Sequence, residues 1–148
     1  MTAAPVATAL SHVHCAAVPE PPAATWSNCL RVGQEVVISG MTAHPAASGT
    51  PMDAYEQTVH VLGKVRALLE AAGGHLGNVV KLVVYVTDIA DKDAVNRARH
   101  DCLGPAPYPC STLVEVKGLV FPALKVEVDA WSRLDVDRHA PGAGMPSR

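Results

Sequence analysis

The sequence has few aromatic residues and little net charge. The first limits which residue types can build its core, and the second limits which partners it can bind. Only 4% of the 148 residues are aromatic while 49% are hydrophobic, so a core must be built mainly from Val, Leu and Ala. The formal charge of −2 leaves no broad basic surface for a nucleic-acid backbone. The chain also lacks paired carboxylates with metal spacing, so we do not expect nucleic-acid binding or RNA cleavage.

The sequence also lacks a cysteine framework and a targeting segment. Its four cysteines contain no CxxC pair, which indicates free thiols in a reducing compartment. The first ten residues are apolar, but they lack the basic start of an export signal and are too short to span a bilayer. We therefore expect a cytoplasmic protein that has no membrane segment.

Composition divides the chain into one domain and two flexible ends. Residues 1–23 are rich in Ala and Pro, which predicts a flexible N-terminal arm, and residues 135–148 predict a flexible tail for the same reason. Residues 24–134 are left as a single domain of ordinary size. His12 and His14 lie in the arm, where alternate residues have no fixed geometry, so we expect no metal site.

The central segment predicts strands and helices in the order ββαβαββ. Two β-branched runs, residues 28–32 and 35–40, predict a hairpin. The capping and proline residues at 50–53 predict the start of a helix that ends at Gly73. A second helix is expected over about residues 91–103.

The strand predicted at residues 79–86 is apolar at nearly every position, so both of its faces should be covered. A single layer of helices covers only one face. This pattern suggests association between subunits, although a strand enclosed within one chain would have the same pattern. Two further strands, at about 111–117 and 123–132, complete an α+β domain with a mixed sheet.

Four segments occur in an order that is characteristic of one protein family. They are WSNCLRVGQEVVISG (26–40), EQTVHVLGKVRALLEAAGG (56–74), NVVKLVVYVTDIADKDAVN (78–96), and PCSTLVEV with LKVEVDAW (109–116 and 124–131). Together they resemble the RidA/YjgF family of trimeric enamine and imine deaminases. The resemblance implies a chorismate-mutase-like mixed β-sheet backed by two helices, and a homotrimer with a central barrel-like core. It further implies active sites in the clefts between subunits, a small-molecule imine or enamine substrate, and no metal or organic cofactor.

The strand that begins at PCSTLVEV departs from the pattern of the family's deaminases. Those members have an arginine there that holds the substrate carboxylate, and aligning Pro109 and residues 114–116 puts Ser111 in its place. No Arg or Lys lies between Arg99 and Lys117. The exchange would cost about 2 to 4 kcal/mol of carboxylate binding if nothing replaced the arginine. We therefore expect a substrate that is larger, more apolar or without a carboxylate.

The resemblance also suggests which residues form the site. Glu127 matches an acidic position in the last strand and could hold or activate a water, which Ser111 could help to position. Cys110 offers a thiol but has no base beside it in the sequence, so it could equally be a small structural residue. The expected substrate-binding residues are Trp26, Ser39, Gly40, Met41, His44 and Leu113.

Two classes of function remain open from the sequence. The first is an enzyme that acts on an imine or enamine, either by hydrolysis or by Mannich-type or cyclising carbon–carbon bond formation in a specialised pathway. The second is a non-catalytic trimer that binds a small metabolite or acts as a holdase. Biological activity that survived both Glu127→Gln and Ser111→Ala would favour the second class.

Overall fold

Six strands form one mixed sheet in the computed structural model, which describes residues 2–144. In chain order they are β1 (Leu10–His12), β2 (Cys29–Val32), β3 (Glu35–Thr42), β4 (Val79–Val86), β5 (Cys110–Glu115) and β6 (Val126–Arg133). The order across the sheet is β1-β2-β3-β6-β4-β5, with β4 and β5 parallel and the other neighbours antiparallel. The predicted α+β class with a mixed sheet is confirmed.

Three α-helices accompany the sheet: α1 (Ala46–Gly49), α2 (Ala54–Ala71) and α3 (Lys92–Leu103). The N-terminus of α2 is a capping box, in which Asp53 and Glu56 each accept a hydrogen bond from the other's backbone N–H at 2.8 Å. Gly104 ends α3 with a φ of 76°, a conformation that favours glycine. No helix within residues 2–144 is long and apolar enough to cross a membrane.

Strand alternation separates a core face, which the helices cover, from an open face. On β6, Val126, Val128 and Ala130 are buried in the core, so Glu127 between them belongs to the open face. The helices contribute the following buried residues to the same core: Val61, Leu62, Val65, Leu68 and Leu69 from α2, and Val95 and Leu103 from α3. Only one face of the sheet is therefore packed by helices of the same chain.

The N-terminal arm is anchored to the domain over part of its length. β1 pairs with the edge of β2, and Val13 and Val18 are buried in the core. The carboxylate of Glu20 accepts a hydrogen bond from the backbone N–H of Asn28 at 2.7 Å. The prediction of a flexible arm over residues 1–23 missed this anchoring, because two isolated valines give no strand or helix period.

Arg138 fixes the beginning of the C-terminal segment. Its side chain is buried, and its guanidinium donates to the backbone carbonyls of Val79 and Pro107, each at 2.7 Å. Burial lowers the pKa of this arginine. The predicted flexible tail, residues 135–148, therefore starts with an anchored side chain, and residues 145–148 lie outside the described part of the chain.

Replacing Arg138 by Gln should lower the free energy of unfolding by about 2 to 4 kcal/mol, because buried carbonyls would lose charged donors. Arg133→Gln is the matched control, since Arg133 pairs with Asp135 on the surface and its loss should cost much less than the loss of Arg138. Urea unfolding measures both values. Equal losses for the two variants would contradict the anchoring role of Arg138.

Candidate functional site

A groove of about 1120 Å³ lies between β3, the first residues of β6 and the N-terminal arm. This volume is slightly above the usual range for small-molecule sites. Six residues that the sequence predicted for the site line the groove: Trp26, Ser39, Gly40, Met41, His44 and Glu127. The sequence alone did not show that residues 17–21 of the arm form one of its walls.

The carboxyl group of Glu127 lies directly over Gly40. The pairing of β3 with β6 shifts register between Ile38 and Met41, so Ser39 and Gly40 together oppose one residue of β6, as in a β-bulge. A Cβ on Gly40 would lie 2.9 Å from Cδ of Glu127 and still closer to its Oε1. Glycine at this position therefore leaves the space that the carboxyl group occupies.

The surroundings of Glu127 favour its neutral form. Burial raises the pKa of its carboxyl group above the usual 4.5, and the negative charge of Asp129 raises it further. Glu127 forms no ion pair with a base of residues 2–144. A carboxyl group whose pKa moves toward neutrality is better suited to both accept and donate a proton near physiological pH.

The remaining groove walls offer an aromatic surface and few free donors. Trp26 is 52% exposed, and its indole N–H donates to Asn28 Oδ1 at 3.2 Å. The Ser39 hydroxyl donates to a backbone carbonyl at 2.6 Å, so it can only accept a hydrogen bond from a ligand. The ring of His44 stacks on Phe121 with 4.2 Å between ring centroids. A ligand would thus meet mainly apolar and aromatic surface near Glu127.

His60 and Lys64 of α2 also line the groove, although the sequence did not mark either of them as a site residue. Lys64 Nζ donates to the carbonyls of Thr42 and His44 at 2.7 and 2.6 Å, which holds the loop after β3 against α2. Burial lowers the pKa of both His60 and Lys64. Helical periodicity could not reveal this, because the surface they face is a loop from another part of the sequence.

Ser111, Cys110 and Leu113 of β5 lie outside the groove. Ser111 pairs with the core residue Leu82, and Leu113 packs against the core, so both side chains belong to the helix-covered face. Cys110 is exposed and, as the neighbour of Ser111 on the strand, points toward the open face. Within one subunit, Ser111 and Glu127 are therefore on opposite faces of the sheet.

A smaller cleft of about 210 Å³ lies where Ser111 meets α3. Nη1 of Arg99 donates to the Ser111 hydroxyl oxygen at 2.5 Å, and Nη2 is 3.4 Å from Asn96 Oδ1. No sequence pattern predicts a contact between Arg99 and Ser111, since one is in a helix and the other in the following strand. The fold nevertheless brings a guanidinium group to the side chain that stands where an arginine was expected.

Replacing Glu127 by Gln should change how stability depends on pH. Because the pKa of Glu127 is raised by folding, the folded chain binds this proton more tightly than the unfolded chain. That contribution is fully present below pH 4.5 and is lost as the pH rises through the raised pKa. From about pH 4 to about pH 7, the free energy of unfolding should therefore fall more in the native protein than in Glu127→Gln.

Glu35→Gln, on the exposed end of β3, serves as the control for this measurement. It makes the same exchange of glutamate for glutamine outside the groove. A native pH dependence of stability in Glu127→Gln would contradict the burial of the Glu127 carboxyl group.

Several known proteins are similar to this chain in both amino-acid sequence and fold. The family profile described as Endoribonuclease L-PSP matches residues 17–133. The 2-iminobutanoate/2-iminopropanoate deaminase of Escherichia coli strain K12 is 31% identical over 102 residues, covering 67% of this chain and 79% of that protein.

Two crystal structures extend the comparison. PA3499 from Pseudomonas aeruginosa, described as a protein of unknown function, has 60% identity and a TM-score of 0.85, covering 88% of this chain and 96% of that one. RidA from an Antarctic Psychrobacter species has 28% identity and a TM-score of 0.73, covering 83% and 98% of the two chains. With the profile match over most of its length, this chain belongs to the RidA/YjgF family.

Proposed function

We propose that the protein hydrolyses reactive imines or enamines to carbonyl compounds and ammonia, with no metal or organic cofactor. The observation that carries this proposal is the partly buried Glu127 carboxyl group, seated over Gly40 in a largely apolar groove. The Escherichia coli relative is named as a deaminase of two 2-imino acids, which supports the same reaction class here.

In the proposed reaction, Glu127 moves protons between water and the imine. The imine enters in its N-protonated form, and the Glu127 carboxylate takes a proton from water as the water oxygen bonds to the imine carbon and the C=N electron pair moves to nitrogen. The carbinolamine that forms has one hydroxyl and one amino group on the same carbon. Protonated Glu127 then donates its proton to the amino nitrogen, the C–N bond breaks to release ammonia, and the hydroxyl group passes its proton to solvent as the carbonyl forms. A carboxyl group with a raised pKa suits both steps.

We further propose that the protein works as a homotrimer whose open sheet faces pack together. Val37, Val83, Tyr85 and Trp131 lie on this face, and Trp131 is 40% exposed although its indole is large and apolar. An uncovered apolar sheet face is typical of a subunit interface.

The native protein should have about three times the 15.5 kDa mass of one chain in light scattering. Trp131→Glu should shift it toward monomers, because the packed face would lose a large apolar side chain and gain a charge that assembly must strip of water. Val6→Glu is the control, since Val6 is 95% exposed in the arm. A native monomer, or equal behaviour of the two variants, would contradict this interface.

Glu127→Gln should reduce kcat for 2-iminobutanoate hydrolysis by at least about 100-fold, because glutamine cannot transfer a proton. The imine can be generated in situ by an amino-acid oxidase and its loss followed by semicarbazide trapping. Glu35→Gln makes the same substitution at an exposed end of β3 and should keep native activity. Native-like rates in both variants would reject the role of Glu127.

The size of the groove favours a second candidate, Mannich-type or cyclising carbon–carbon bond formation on an imine. Its volume of about 1120 Å³ exceeds what a four-carbon imino acid needs and could hold two reacting groups. Mass spectrometry of products separates the candidates, because hydrolysis releases ammonia whereas bond formation gives a single heavier adduct. If catalysis were absent and metabolite binding survived both Glu127→Gln and Ser111→Ala, the protein would be a binding trimer.

A further inference from the structure

The N-terminal arm supplies a wall of the groove that has no part in the chemistry proposed for Glu127. Residues 17–21, which we term the arm wall, line the groove beside β3 and the start of β6. Their sequence is AVPEP, and both prolines are exposed. Proline has a fixed φ and no backbone N–H, so Pro19 and Pro21 present rigid, apolar surface. The arm wall is therefore stiff and largely apolar, although it belongs to no helix or strand.

Asn28 anchors the arm wall to the sheet. Its backbone N–H donates to Glu20 Oε1 at 2.7 Å, and its side-chain Nδ2 donates to the carbonyl of Val18 at 3.1 Å. His12 Nε2 lies 2.7 Å from the same Glu20 oxygen, and the Val18 side chain is buried in the core. These contacts fix the arm wall at two points, on either side of Pro19.

Asn28 also fixes the aromatic part of the groove. Its Oδ1 accepts the Trp26 indole N–H at 3.2 Å, and its backbone carbonyl accepts the N–H of Ser39 at 2.9 Å. Asn28 is itself buried, so these hydrogen bonds are shielded from water. Because the polar edge of Trp26 is occupied, the 52% of this residue that is exposed offers mainly apolar ring surface. One residue thus holds the arm wall, the indole and the strand that carries Gly40.

A substrate group that reaches the arm wall meets two proline rings and an indole. Glu20 is the only charged residue of the arm wall, and its Oε1 is already engaged by Asn28 and His12. Binding of an apolar group against such a surface gains free energy roughly in proportion to the area removed from water. The groove is larger than a four-carbon imine needs, so a small imine at Glu127 would leave most of this surface unused.

We infer that the arm wall and Trp26 form a specificity pocket for the substrate group remote from the C=N bond, and that this group is aromatic or a large apolar chain. This inference rests on the proposed function and adds the substrate class to it. Glu20 and Asn28 are positioning residues, since they hold the arm wall and the indole. The pocket should act on KM and not on kcat, because the proton-transferring Glu127 is held by β6 and not by the arm.

The test compares two imines that differ only in the side chain. An amino-acid oxidase makes 2-iminobutanoate from 2-aminobutanoate and a phenyl-bearing imine from phenylalanine, and semicarbazide trapping follows both. In the native protein, KM should be roughly 10-fold lower for the phenylalanine-derived imine, because a phenyl ring buries apolar surface that an ethyl group cannot reach. Equal KM values for the two imines would overturn the inference.

Pro19→Gly removes one apolar ring of the arm wall and its fixed φ. It should raise KM for the phenylalanine-derived imine by roughly 5- to 20-fold and change KM for 2-iminobutanoate by less than about 2-fold. Pro5→Gly makes the same exchange at an exposed position of the arm that does not line the groove, and it should keep both native KM values. Equal effects of the two variants would contradict a specific role of the arm wall.

Glu20→Ala releases the arm wall from the backbone of Asn28 and should have the same effect as Pro19→Gly. Glu20→Gln keeps an oxygen that accepts this hydrogen bond, so it should recover most of the lost preference for the phenylalanine-derived imine. A general loss of stability would alter the kinetics of both imines alike, so the ratio of the two KM values isolates specificity. A native ratio in Glu20→Ala would overturn the positioning role of Glu20.

Ligand binding separates this inference from the proposed function. Ligand-observed NMR measures the affinity for phenylpyruvate and for 2-oxobutanoate, the keto acids that correspond to the two imines. If no imine is hydrolysed but phenylpyruvate binds more tightly and Pro19→Gly removes this preference, the specificity pocket stands and the hydrolase is rejected. If both imines are hydrolysed with a KM ratio that neither Pro19→Gly nor Glu20→Ala changes, the hydrolase stands and the specificity pocket is overturned.

Discussion

The fold and the site depend on one strand, β6, which pairs with β3 on one side and β4 on the other. It is the last strand in the chain, yet it joins the N-terminal strands to β4 and β5. Alternation along β6 sends Val126 and Val128 into the core and Glu127 to the open face, over the gap that Gly40 leaves. A slip of one residue would bury the carboxyl group in the core and expose the valines, so core packing and the site share one register.

The sheet keeps the carboxyl group of Glu127 apart from the contact between Arg99 and Ser111. Glu127 lies on the open face, whereas Arg99 meets Ser111 on the helix-covered side of β5. The open face also carries Trp131, which is 40% exposed, so the proposed trimer would cover the face on which Glu127 lies.

The sequence predicts features that depend on local patterns and misses contacts made by single residues. Alternation in the strands, the capping pattern at residues 50–53 and the apolar pattern of residues 79–86 are local, and they predicted the central strands and α2, although α2 starts at Ala54 with Asp53 as its cap rather than at Pro51. Family resemblance directed attention to Glu127, although sequence gives no measure of its burial. The hydrogen bonds from Arg99 to Ser111 and from Lys64 to the loop after β3 depend on tertiary packing. The periodicity of the sequence contains no information about such contacts.

The central claim is that the carboxyl group of Glu127 transfers protons during imine hydrolysis. The pH dependence of kcat for 2-iminobutanoate in the native protein, Glu127→Asp and Glu127→Gln tests it most directly. The native kcat should fall in acid as the Glu127 carboxylate is protonated above its usual pKa, Glu127→Asp should keep such a dependence, and Glu127→Gln should lose both the activity and the dependence. Equal kcat values and pH profiles in the native protein and Glu127→Gln would contradict the claim.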